Sequence, residues 1–151
     1  MFIFWLKIID MLRVDFHSPD YHPECGLKYV IIGARHGNKW VFIKHKRRKG
    51  YELPAGHINN KEDPDKAAER ELSEETGASK FEIRCISTYT VLEENKLRAG
   101  RLYYADIISI GDHKDMDEID EVIFSEYLPP VLTFPYVQSV LFDYLEKYRK
   151  S

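Results

Sequence analysis

Residues 56–78 read GHINNKEDPDKAAERELSEETGA, and they set Glu62, Arg70, Glu71, Glu74 and Glu75 on and just before one short helix. Asp63 followed by Pro64 marks the helix start: a short acceptor side chain caps free N–H groups, and proline, having no N–H, is pre-shaped for the first turn. Gly77 marks the stop. Most residues between them are strong helix formers. Glu71, Glu74 and Glu75 stand at i, i+3 and i+4, so the spacing projects their carboxylates from one face, while Ala68 and Leu72 make a narrow apolar stripe on another. Like charges gathered on one helical face cost stability unless water screens them or a cation lies between them. Hard oxygen donors without His or Cys suit Mg²⁺ or Mn²⁺.

The 151 residues are enough for one domain with one core, read over 1–151. Hydrophobic residues at 44% and charged residues at 31% describe a globular chain, and a net charge of −3 gives no global pull towards nucleic acid. Cys25 and Cys85 lack metal-ligand spacing, which reads as two reduced thiols in a cytoplasmic protein. The opening MFIFWLKII is too short to span a membrane and lacks the flanks of a secretory signal. It reads as a strand or helix packing on the domain, with residues 1–13 a candidate N-terminal extension and Met11 an alternative start.

Outward from residues 56–78, the chain alternates between strand and turn signals. Residues 14–26 read as a short strand and a loop. Leu27–Arg35 and Trp40–His45 are Tyr/Val/Ile-rich runs joined by a turn containing Gly37 and Asn38, a β-hairpin pattern. The run KHKRRK at 44–49 is a basic loop beside the acidic helix in sequence. Arg47 and Arg48 are its candidates for binding substrate phosphates, since guanidinium pairs with phosphate in a bidentate way. Phe81–Leu92 and Arg101–Ile110 read as strands around a polar connection at 93–100. An acidic loop follows, then a strand over 121–128 ended by Pro129-Pro130. Val137, Val140, Leu141, Tyr144, Leu145 and Tyr148 have the spacing of an amphipathic C-terminal helix.

The spacing Gly56, five residues, Glu62, seven residues, Arg70-Glu71-Leu72, one residue, Glu74-Glu75, one residue, Gly77-Ala78 resembles the Nudix box at each defined position. The lead-in Tyr51–Ile58 is similar to the family's segment with a Pro-x-Gly core, with His57 where many members have a second glycine. The resemblance implies an α/β protein of Nudix type, an α/β/α sandwich with a mixed β-sheet between helices. It also implies a Mg²⁺-dependent hydrolase, Mn²⁺ being an alternative, that cleaves a phosphoric anhydride bond by water attack on phosphorus. By resemblance the metal ligands are the Gly56 carbonyl, Glu74 and Glu75, with Glu71 a ligand or the water-orienting base. Glu62 and Arg70 pair to hold the loop against the helix. Glu118, ahead of Glu121 in the acidic loop, is the first candidate for an extra carboxylate, and His57 is a candidate substrate contact.

For substrate, residues 79–128 contain no proline, which is unlike the family's ADP-ribose pyrophosphatases. The tyrosine spacing of diadenosine-polyphosphate hydrolases and the coenzyme A signature are also missing. These comparisons favour the MutT-like group, which cleaves nucleoside triphosphates to a monophosphate and pyrophosphate. ADP-ribose or dinucleotide hydrolysis and RNA 5′-end pyrophosphohydrolysis are the enzymatic alternatives, and a nucleotide-sensing module is the non-enzymatic one. The expected partner is a small nucleotide, with no membrane and no nucleic acid beyond RNA 5′ ends, on a monomer or homodimer.

Overall fold

The structure is a computed structural model, and it describes residues 12–112, 115 and 117–151. The expectations for the N-terminal run and for Met11 lie outside the described residues. In chain order the elements are β1 (Leu12–His17), β2 (Tyr29–His36), β3 (Lys39–His45), β4 (Ala55–His57), α1 (Pro64–Thr76), β5 (Ala78–Glu93), β6 (Lys96–Ile110), β7 (Ile119–Ser125) and α2 (Pro135–Lys150).

The strands form one seven-stranded sheet in the order β1-β5-β6-β2-β3-β7, with β4 paired to β2. The β2–β6 pairing is parallel and the others are antiparallel, so the sheet is mixed. Successive side chains of β2 alternate between the two faces, as pleating requires. Val30, Ile32 and Ala34 meet Ala67, Ala68 and Leu72 of α1. Ile31 joins Trp40, Phe42, Leu102 and Tyr104 in the other layer, against Leu141, Phe142 and Leu145 of α2. The expected α/β/α sandwich is therefore what the chain forms. Trp40 is fully buried and meets Phe142 and Tyr104 edge-on, and burial of such side chains contributes roughly 1.5–3 kcal/mol each.

Strands β2 and β3 pair only at Arg35–Trp40 and His36–Lys39. Beyond that point residues 52–57 wedge between them, with Glu52 bridging to Ile43 of β3 and Gly56 paired with Val30 of β2. This wedge carries Gly56 to Glu71 in the middle of α1.

Two regions differ from the sequence expectation, the β5–β6 tip and the last strand. The β5–β6 hairpin runs to a two-residue turn at Glu94 (φ 50°) and Asn95 (φ 65°), where a polar connection over 93–100 was expected. Two positive φ values give a turn whose twist matches the strands, so the ladder closes at Glu93–Lys96. The last strand begins at Ile119 and stops at Ser125, short of Tyr127-Leu128. Helix α2 begins at Pro135, with Phe134 preceding it and making no side-chain cap. Among the described residues, no helix is long and apolar enough to cross a membrane.

Candidate functional site

Helix α1 starts and stops where its sequence says. The Asp63 carboxylate accepts from the Asp65 N–H at 2.9 Å, and Gly77, at φ 80°, donates its N–H to the Ser73 carbonyl at 3.0 Å. Its apolar stripe lies on the sheet, which turns Glu71 and Glu75 towards β4. Glu75 is 4% exposed, and it accepts from the Ala55 N–H at 2.7 Å and from His45 Nε2 at 3.1 Å. The Glu71 carboxyl lies directly over Gly56: a Cβ built there would fall 2.1 Å from it. Glycine at position 56 thus leaves room for the Glu71 carboxyl, and no positive φ calls for it there.

Arg70 ties the loop to the helix. Its Nε and Nη2 donate to the two oxygens of Glu62 at 2.8 and 3.0 Å, Nη1 donates to Glu71 at 2.9 Å and to Glu74 at 3.4 Å, and Nη2 donates to the His57 carbonyl at 3.1 Å. The paired guanidinium holds the Glu62 carboxyl down to about 2. Burial, and then the neighbouring charge of Glu75, push Glu71 up to about 7. Burial also raises Glu75, while His45 and the Ala55 N–H pull it back. His45 is raised in turn, chiefly by its hydrogen bond to Glu75.

A cavity of about 580 Å³ opens over these groups. Glu71, Glu75, Gly56, His57, Arg48 and Glu118 all line it, so the fold brings these candidates together. Glu74 does not line it and stays with Arg70 at the surface. Arg47 lines a neighbouring cavity, which shares His45, Arg48 and Glu118 with the first. Arg48 donates to Glu52 at 2.6 Å, and its guanidinium carbon stands 5.9 Å from the Phe134 ring centre. The loop carrying Glu118 is anchored where the Lys46 N–H meets the Glu118 carbonyl at 2.9 Å. Glu121 is turned to the Tyr51 hydroxyl and Asp120 to Lys44, so neither competes with Glu118.

His45 and Glu52 are site residues that sequence reasoning did not single out. Glu52 is 3% exposed, and its Oε2 has no hydrogen-bond partner among the described residues. Its mate His45 stood inside a basic run, where its neighbours suggested a solvated loop.

The donor chemistry fits a divalent cation. Gly56 carbonyl, Glu71 and Glu75 offer only hard oxygens, and the raised Glu71 carboxyl registers negative charge crowded into little water. Among the described residues no three acidic, His or Cys side chains close around one point, and Glu74 is bonded to Arg70.

A family model described as NUDIX domain matches residues 29–129, the wedge and the box included. The chain belongs to the Nudix family. A Bacillus subtilis relative bearing the provisional name 8-oxo-dGTP diphosphatase YtkD is 34% identical over 106 residues, 70% of this chain and 66% of that protein. A Caulobacter vibrioides RNA pyrophosphohydrolase is 33% identical over 71 residues, 46% of this Nudix chain and 40% of the relative. The matches thus span less than two thirds of the length of these curated relatives. The crystal structure of a mutant of the Bacillus subtilis pyrophosphohydrolase BsRppH superposes with a TM-score of 0.76 at 28% identity, covering 92% of this chain and 90% of that one.

Proposed function

We propose that this chain, read as one domain, is a divalent-metal-dependent hydrolase that cleaves a phosphoric anhydride in a nucleoside di- or triphosphate derivative. Nucleoside triphosphates, split to a monophosphate and pyrophosphate in the MutT manner, are the favoured substrates. The observation that carries the reading is the meeting of Glu71, Glu75 and Gly56 on one cavity wall with Arg48 and Glu118 around it.

Gly56 carbonyl, Glu71 and Glu75 would hold Mg²⁺, with Mn²⁺ an alternative, and Glu74 would join them on leaving Arg70; bound there, the ion would neutralise phosphate charge and acidify water. The chain's own groups do the rest. Arg48, and Arg47 from the adjoining cavity, bind phosphate oxygens, and Arg48 leaves Glu52 to do so. Of the carboxylates that line the cavity, Glu118 and Glu71 are the candidates to accept a proton from the attacking water. Glu62 and Arg70 keep the loop and helix in register, and His57 contacts the substrate from the rim. All four box carboxylates are present, which favours an enzyme over a sensing module. Cytoplasmic placement is supported by free Cys25 and Cys85.

Cleavage at RNA 5′ ends is the second reading. It is favoured by the likeness to BsRppH over nearly the whole chain and by the second cavity lined by Lys46, Arg47 and Arg48. Comparing kcat/KM for nucleoside triphosphates and for 5′-triphosphorylated oligonucleotides tests the assignment. The favoured reading predicts the higher value on mononucleotides. A higher value on RNA ends, with a KM that climbs steeply with salt, selects the second.

A further inference from the structure

We propose that Glu52 is a positioning residue, a buried carboxylate that holds Arg48 off the substrate's phosphates until His45 crosses to it from Glu75. This rests on the hydrolase reading of the same cavity and adds to it a link between metal binding and phosphate binding.

The backbone fixes the groups around Glu52. Its N–H and carbonyl both pair with Ile43 of β3, at 2.9 and 2.8 Å, which sets its place beside the strand that carries His45. The Arg48 N–H donates to the His45 carbonyl at 3.1 Å, closing a turn that brings both side chains to the same carboxylate. Arg48 Nη1 donates to Glu52 Oε1 at 2.6 Å. His45 Nε2 lies 3.9 Å from that same oxygen and 3.1 Å from Glu75 Oε2. One imidazole N–H thus stands between two buried carboxylates, bonded to Glu75 and about 1 Å short of a hydrogen bond to Glu52.

Glu52 has room for a second donor. It is almost fully buried, and its Oε2 has no hydrogen-bond partner among the described residues. A buried carboxylate oxygen left unmatched is unfavourable, so another N–H is welcome there. Glu75 has the opposite demand. Its Oε1 accepts from the Ala55 N–H at 2.7 Å and its Oε2 from His45. When Glu75 takes up a divalent cation, the positive edge of the His45 N–H is repelled from it, and Glu52 is the acceptor within reach. With His45 bonded to it, Glu52 holds Arg48 less tightly. The Arg48 side chain is half exposed, 5.9 Å from the Phe134 ring centre, and it lines both cavities. It therefore swings to a phosphate without repacking the core.

The test begins without metal, by calorimetric titration of inorganic tripolyphosphate in EDTA into the full chain. Glu52→Gln is expected to bind it about tenfold more tightly than the wild type, and the same substitution made on Arg48→Ala is expected to bring no gain. A gain that persists without Arg48 overturns the proposal, since it then comes from the lost charge alone. Glu52→Gln binding no better than the wild type overturns it too. The link to metal is read by NMR of the Arg48 guanidinium nitrogens. Mg²⁺ is expected to move the wild-type signal towards its position in metal-free Glu52→Gln, and to leave it in place in His45→Asn. A wild-type signal that ignores Mg²⁺, or one that follows it equally in His45→Asn, overturns the proposal. Mn²⁺ affinity is expected to change a few-fold at most in Glu52→Gln, against about a hundredfold in Glu75→Gln. Equal losses would make Glu52 a metal ligand and overturn its positioning role. An Arg48 response to Mg²⁺ without turnover of any nucleotide overturns the hydrolase reading and leaves the link between His45, Glu52 and Arg48 standing.

Discussion

A methyl group on Gly56 would fall 2.1 Å from the Glu71 carboxyl carbon. That carboxyl is the far end of a flexible side chain, so the helix can yield the space by swinging Glu71 aside. Gly56→Ala is therefore expected to change the unfolding free energy by under about 1 kcal/mol, yet to weaken Mg²⁺ binding and activity by about a hundredfold. Paired denaturation and metal titrations check this, and an equal loss in both would contradict it.

Arg70 serves three carboxylates and one carbonyl with a single planar fork. Lysine keeps the charge but cannot make the paired contact to Glu62. Arg70→Lys is expected to lower kcat/KM by about tenfold to a hundredfold, with Glu62 returning from about 2 towards its ordinary value. Carboxyl chemical shifts followed by NMR through acid pH would show that return.

His45 holds the buried Glu75 carboxylate. Its proton affinity is higher in the folded chain than the ordinary 6.5. Its contribution is therefore fully present below pH 6.5 and is lost as pH rises through the higher folded value. His45→Ala is expected to cost about 2 kcal/mol at pH 6, and less by pH 9. Urea unfolding across that range measures the difference, and a cost that does not change with pH would contradict it.

Gly50 faces the strap before α2. A Cβ there would meet the backbone of Leu132 and Thr133 at 2.3 Å, and backbone cannot swing away. The strap is tied on both sides of Tyr51, through the Val131 carbonyl and the Thr133 N–H. Gly50→Ala is expected to destabilise by about 1–3 kcal/mol and to raise the KM for nucleotides by shifting Phe134. Thermal unfolding and steady-state kinetics together check it.

How far the sequence reaches can be judged from individual residues. Asp63, Pro64 and Gly77 delimit α1 through local backbone chemistry, so its ends were readable to within a residue. The near-continuous apolar run of β2 reflects its two buried faces and was equally plain. The β5–β6 tip was not, because its polar residues continue the ladder through a turn that needs only two positive φ values. At the site, Gly56, Glu71 and Glu75 are fixed by spacing within one loop and helix. His45 reaches Glu75 only because the 52–57 wedge parts β2 from β3, and nothing local in the sequence records that.

The most direct measurement is turnover of a panel of nucleoside triphosphates, dinucleotides, ADP-ribose and 5′-triphosphorylated RNA by the full chain and by Glu75→Gln, with Mg²⁺, with Mn²⁺ and with EDTA. The expected result is pyrophosphate and monophosphate released from nucleoside triphosphates, abolished by EDTA and lowered about a hundredfold or more in Glu75→Gln. No release from any substrate with either metal, or equal rates for the wild type and Glu75→Gln, would contradict it.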